Sequence, residues 1–217
     1  MRKSSVRVVI VLAIVAVGAI VLAGSMCLGA RTQKPTALQY HDTWRALWED
    51  HINWTRSVII GTLDSLPGTA RYTARLLDNY DDMEDALRPY YGDDADELGD
   101  LIEEHLTIAV EILNAAKIGD QAALDDAKAR WYANADEIAA MMAEMNPKRW
   151  KLDEAKEMWR LHLDATLEEA VAHLTADFDS EVEAFDIVHA RALEMADFFS
   201  YGVIRQFPQR FRQVGIQ

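Results

Sequence analysis

The feature that most constrains this chain is a nine-residue pattern that occurs three times. Leu47-Trp48-Glu49-Asp50-His51-Ile52-Asn53-Trp54-Thr55 is echoed by Leu101-Ile102-Glu103-Glu104-His105-Leu106-Thr107-Ile108-Ala109 and by Met158-Trp159-Arg160-Leu161-His162-Leu163-Asp164-Ala165-Thr166. Each copy has two bulky apolar residues, two variable ones, a histidine, a branched aliphatic, and a small residue or threonine four places beyond the histidine. The histidines stand 54 and 57 residues apart. Between them a second pattern recurs: Ala74-Arg75-Leu76-Leu77-Asp78-Asn79 returns 55 residues later as Ala129-Arg130-Trp131-Tyr132-Ala133-Asn134, and a further 55 residues lead to His189. A fixed period of this size is the mark of a repeated supersecondary unit. The unit here is a helical hairpin of about 55 residues used three times, the third copy degenerate.

Breakers divide the chain into six helices. The first is expected over Leu38 to Leu66, ended by Pro67-Gly68, and the second runs from Thr69 to a break at Pro89 and Gly92. A third starts at Asp93 or Asp94 and ends at Gly119, where Asp120 caps the fourth. Asn146-Pro147 stops the fourth; the fifth spans Asp153 to Leu174, and the sixth Asp179 to Arg205. With connections this short, neighbours are antiparallel, so the fold class is all-α: a bundle of six helices in three antiparallel hairpins.

Residues 1–30 are expected to lie outside the bundle. Arg2, Lys3 and Arg7 precede an uncharged apolar run from Val8 to Ala30, long enough for a transmembrane helix of roughly 20 residues. Basic residues ahead of the run keep the N-terminus in the cytoplasm and predict an extracytoplasmic remainder. The segment is read as an uncleaved signal anchor; cleavage near Ala23-Gly24-Ser25, with secretion, is the alternative, and Met26 stands where lipidation of Cys27 would want a small residue. Residues 31–37 read as a linker and 38–217 as the bundle domain. All 36 acidic residues follow residue 30, so the exported part is more negative than the −14 of the whole chain. Such a charge excludes nucleic acid as a partner and leaves the membrane, through the N-terminal helix, as the expected one. The single cysteine, Cys27, rules out an intramolecular disulfide.

Each helix carries one polar residue within its apolar stripe, near its midpoint: His51, Asn79, His105, Asn134, His162 and His189. Antiparallel packing brings midpoints to one level, which predicts a polar layer across the bundle. Histidines converging from different helices, with carboxylates near, are how bundles hold metals. The expected metal site comprises His51, His105, His162 and His189, with Asn79, Asn134 and Glu169 as supporting or additional ligands and iron, manganese, zinc or copper as the ion. Glu104 and Glu137 are further candidate carboxylates. The di-iron signature Glu-x-x-His is absent at these histidines, and no Cys-x-x-Cys-His motif offers covalent haem attachment. The alternative is a non-enzymatic binding or interaction module whose His/Asn layer only fixes helix register. His41 and His173, near helix ends, are expected to be exposed, and the six tryptophans to be core.

At Asn134-Ala135-Asp136-Glu137-Ile138-Ala139, Asn146-Pro147 and Gln206-Phe207-Pro208 the chain resembles a family of small exported bacterial all-helical proteins without an established activity. Chains of that kind often carry the labels acetylglutamate kinase or glycosyltransferase. The residues support neither label: there is no glycine-rich phosphate loop, no alternation of strands with helices, and no Gly-x-Ser-x-Gly elbow. No catalytic residue is expected.

Overall fold

A computed structural model describes residues 33–213 of the chain. The apolar run expected to cross a membrane lies outside the described residues, and among these no helix is long and apolar enough to do so. Six helices follow one another: α1 Ala37–Leu63, α2 Thr69–Tyr91, α3 Asp93–Ile118, α4 Gln121–Met145, α5 Leu152–Leu174 and α6 Phe178–Gln206, then a 3-10 turn at Pro208–Arg210. Among the described residues there is no strand, only an isolated bridge between Thr36 and Arg212.

The helix boundaries follow from local chemistry. Thr36 and Gln39 form a reciprocal capping box at the start of α1. Asp120 and Asp177 cap α4 and α6 by accepting from the amides of Ala123 and Ser180. The three odd helices end alike. A residue with positive φ, Ser65, Gly119 or Ala176, reverses the chain, and the next amide reaches back five residues: Leu66 to Gly61, Asp120 to Ala115 and Asp177 to Ala172. This is the Schellman closure. Only Gly119 adopts it without the steric cost of a Cβ. The repeat is thus visible as geometry at Ser65 and Ala176, where the residue type differs from Gly119. Pro89 does not break α2 as expected: the helix runs past it to Tyr91, forgoing the one bond to the Asp85 carbonyl, and ends at Gly92.

Each helix packs on its neighbours in the chain and α6 closes on α1, forming a ring of six. Helix α1 also packs on α3 and α5 across the centre, and Trp159 of α5 meets His105 of α3 with ring centroids 5.3 Å apart. The odd helices are therefore parallel and inside, with the even helices filling the angles between them. The largest fully buried side chains are aromatic: Trp44 stacks on Phe199 at 4.7 Å, and Trp150 donates to the carbonyl of Phe198. Trp150 lies so close to Gly202 that a Cβ there would stand 2.0 Å from its indole nitrogen.

The ends of the described chain are clasped together. The Arg212 amide donates to the Pro35 carbonyl, Lys34 to that of Gln209, and Tyr40, Tyr90 and Phe211 cluster above them. Residues 34–37, read from sequence as linker, are thus tied into the body. The clasp, the caps and a continuous core all lie within residues 33–213, so this stretch is a folding unit in its own right.

Candidate metal centre

His51, His105 and His162, one from each inner helix, are buried and meet at one level of the bundle. Tryptophans separate them. Trp48 sets its edge against both His51 and His162, whose ring centroids are 5.8 Å apart, while His105 stacks on Trp131 at 4.9 Å. The three rings line a cavity of about 30 Å³, shared with Thr55, Thr166 and Trp131.

Burial in this aromatic setting holds all three imidazoles neutral. Desolvation lowers His51 from 6.5 to about 4, opposed in part by the Asn79 amide nearby. It lowers His105 to about 3, opposed by Asn134 and reinforced by His51, and takes His162 well below its ordinary value with help from the other two.

A neutral imidazole has one N–H and one bare nitrogen, and at His105 the structure determines which is which. The Asn134 amide nitrogen donates to the Leu101 carbonyl at 3.0 Å, so its oxygen is the atom facing His105 Nδ1 at 2.9 Å. That oxygen can only accept. Nδ1 therefore carries the proton, and Nε2, fully buried and without a partner, presents a lone pair. The same frame recurs one repeat earlier, where the Asn79 amide nitrogen donates to the Leu47 carbonyl at 3.1 Å. In both units the carbonyl belongs to the residue four before the histidine. There the frame is looser, since Asn79 Oδ1 and His51 Nδ1 each lack a partner within hydrogen-bond reach. The third unit has no asparagine, and His162 Nδ1 is unpartnered.

The other expected site residues are elsewhere. His189 is turned outward, half exposed, and meets Glu49 at 2.8 Å. Val188, one residue earlier, is the side chain that α6 turns inward. Glu169 is buried but bound to Arg56 at 2.7 Å, in a second polar cluster. There Arg56 also bonds Glu181 and lies over the Phe185 ring, while His173 bonds Glu181 at 3.0 Å and approaches Asp64 at 3.3 Å. Burial pushes Glu169 up to about 7, against the pull of Arg56. His173 is thus buried and His41 largely so, paired with Asp197 at 2.8 Å, where exposure was expected. Each is covered because an acidic partner from another helix reaches it. Glu104 and Glu137 face solvent.

No carboxylate reaches the three-histidine cavity. Among the described residues no group of three or more histidine, cysteine, aspartate or glutamate side chains is placed so as to hold a metal ion. What the cavity offers is neutral imidazole nitrogens and two threonine hydroxyls in an otherwise apolar wall: it can exchange hydrogen bonds or ligate a cation. Thr55, Thr166 and Trp131 escaped the sequence reading as site residues, although Thr55 and Thr166 occupy the fourth place after the histidine in two copies of the repeated pattern. Arg56 had a signal as well, as a lone cation in the otherwise uncharged stretch Trp54 to Ile60. The chain matches no known protein family, no characterised protein and no solved structure.

Proposed function

We propose that this chain is a membrane-tethered, extracytoplasmic binding protein whose inner helices take a single transition-metal ion. His51 and His162 are the first pair of ligands and His105 is the third, reached by a small rotation of the rings about their side-chain bonds. One observation carries the reading: three buried imidazoles each keep a ring nitrogen without a partner beside one small cavity. Unpaired buried polar groups are costly, and a protein that retains three together retains them for something they bind. Asn134 then acts from behind His105, orienting its ring and fixing its tautomer, while Asn79 stands in the corresponding place behind His51 without bonding it. Imidazole ligands suit copper, zinc or iron better than manganese, and their lack of charge favours the ion that is least costly to desolvate. The tether rests on the apolar run Val8 to Ala30 and the basic residues ahead of it.

A second reading has its own support in the absence of a ready-made set of ligands. In it, the layer fixes helix register and the cavity, large enough for one water, holds a bridging water. One experiment separates the two. The bundle, residues 33–217 without a polyhistidine tag, is reconstituted with iron, manganese, zinc or copper and assayed by elemental analysis. The metal reading expects about one ion per chain, lost in His51→Ala/His162→Ala and retained in His189→Ala and Glu169→Gln. Less than about 0.1 ion per chain with all four metals refutes it.

A further inference from the structure

A larger cavity than the one at the histidines opens elsewhere in the bundle. It lies at the end of the bundle away from the clasped termini and encloses about 270 Å³. Leu63 and Leu174, the last residues of α1 and α5, form its rim with Gly119 after α3; Ile112, Leu124 and Leu167 form its walls. This volume approaches the roughly 300–1,000 Å³ of small-ligand pockets. Below it a cavity of about 30 Å³ continues along the axis, sharing Ile112, Leu113, Leu167 and Ala170 with the pocket, and sharing Thr55, Trp131 and Thr166 with the histidine cavity beneath. The three spaces are stacked along the inner helices, wide at the rim and narrow inside.

One charged residue lines the pocket, Lys128 of α4. Its side chain is half-buried, and it has no ion-pair partner among the described residues. Arg130, two residues on but facing away from the pocket, is by contrast held by both Glu111 and Asp126. An apolar tapering pocket with a single unpaired ammonium is complementary to an aliphatic chain ending in an anion.

We propose that this pocket binds an aliphatic monocarboxylate, tail inward along the axis and carboxylate at Lys128. Binding here does not depend on metal at the histidines, so the two readings fail separately. The test is calorimetric titration of the metal-free bundle, residues 33–217, with hexanoate, octanoate, decanoate and the matching alcohols. Affinity is expected to rise about fourfold per methylene until the pocket is full. Lys128→Met, which keeps the apolar stem, weakens the carboxylates about fivefold and leaves the alcohols unchanged. Ala116→Phe, which fills the pocket, abolishes binding of both series; Leu124→Trp serves the same purpose if that variant does not fold. Failure of every carboxylate to bind, affinity indifferent to chain length, equal loss of acids and alcohols in Lys128→Met, or binding that survives a filled pocket each overturns the proposal.

Discussion

Replacing each core asparagine by leucine, which is close to it in volume, distinguishes two frames that look alike in sequence. In Asn134→Leu the chain loses two hydrogen bonds, to the Leu101 carbonyl and from His105 Nδ1, and the second loss strands a buried N–H. Each net bond is worth about 1 kcal/mol, and an unpaired buried donor costs roughly 1–3 kcal/mol more. Leucine returns part of this through its apolar surface, leaving a destabilisation of about 2–3 kcal/mol. In Asn79→Leu only the bond to the Leu47 carbonyl is lost, and Asn79 Oδ1, already unpartnered, is removed with it. That change should cost about 0–1 kcal/mol. With a urea dependence of about 2 kcal/mol per molar, the midpoints of the two variants should differ by roughly 1 M. Urea unfolding of both at pH 8, followed by tryptophan fluorescence and by circular dichroism, is the assay. Equal destabilisation, or a larger cost for Asn79→Leu, would show that the Asn134 frame does not fix His105 as described.

The bundle should lose stability as pH falls below 6.5. His51 and His105 have folded values of about 4 and about 3, so the unfolded chain binds more protons in that window; each buried histidine costs about 1.4 kcal/mol per pH unit until its folded value is reached. Glu169, raised from 4.5 to about 7, works in the opposite sense over the same range, but as one group against three. Urea midpoints that stay level between pH 7.5 and pH 5 would contradict this. Arg56→Met leaves Glu169 and Glu181 buried together without their shared cation and should cost about 3 kcal/mol. Most of that cost should vanish in a Glu169→Gln/Glu181→Gln background, and a full cost there would mean that Arg56 acts through packing alone. Gly202→Ala drives a methyl into Trp150 and should cost about 1–3 kcal/mol, read as a lowered melting temperature with altered near-ultraviolet dichroism; an unchanged spectrum would place Trp150 elsewhere.

The helices and their order were legible because breakers and caps are local. Gly119-Asp120 ends one helix and starts the next by its own chemistry, and the three histidine patterns marked α1, α3 and α5 as equivalent members of a repeat, though not as the inner helices. His189 was misread because spacing alone does not resolve a helical face to one residue. The partners of His51 and His105 lie 28 and 29 residues on, and a slip of one residue turns a side chain by about 100°. The destination of Glu169 was illegible for a different reason. It shares a stripe with His162, but its partner, Arg56, comes from another helix 113 residues away, and no periodicity within α5 carries that information.

The terminal clasp has a consequence for connectivity. Because the Pro35 carbonyl and the Arg212 amide are directly bonded, a short peptide could join the two ends, and the two-residue joint at Gly119-Asp120 could serve as the new opening. In a ring of three hairpins, a circularly permuted chain that starts at Asp120 keeps the cap on α4 and every helix-to-helix packing contact of the original. For this architecture, which helix the chain begins with has little bearing on which fold is reached.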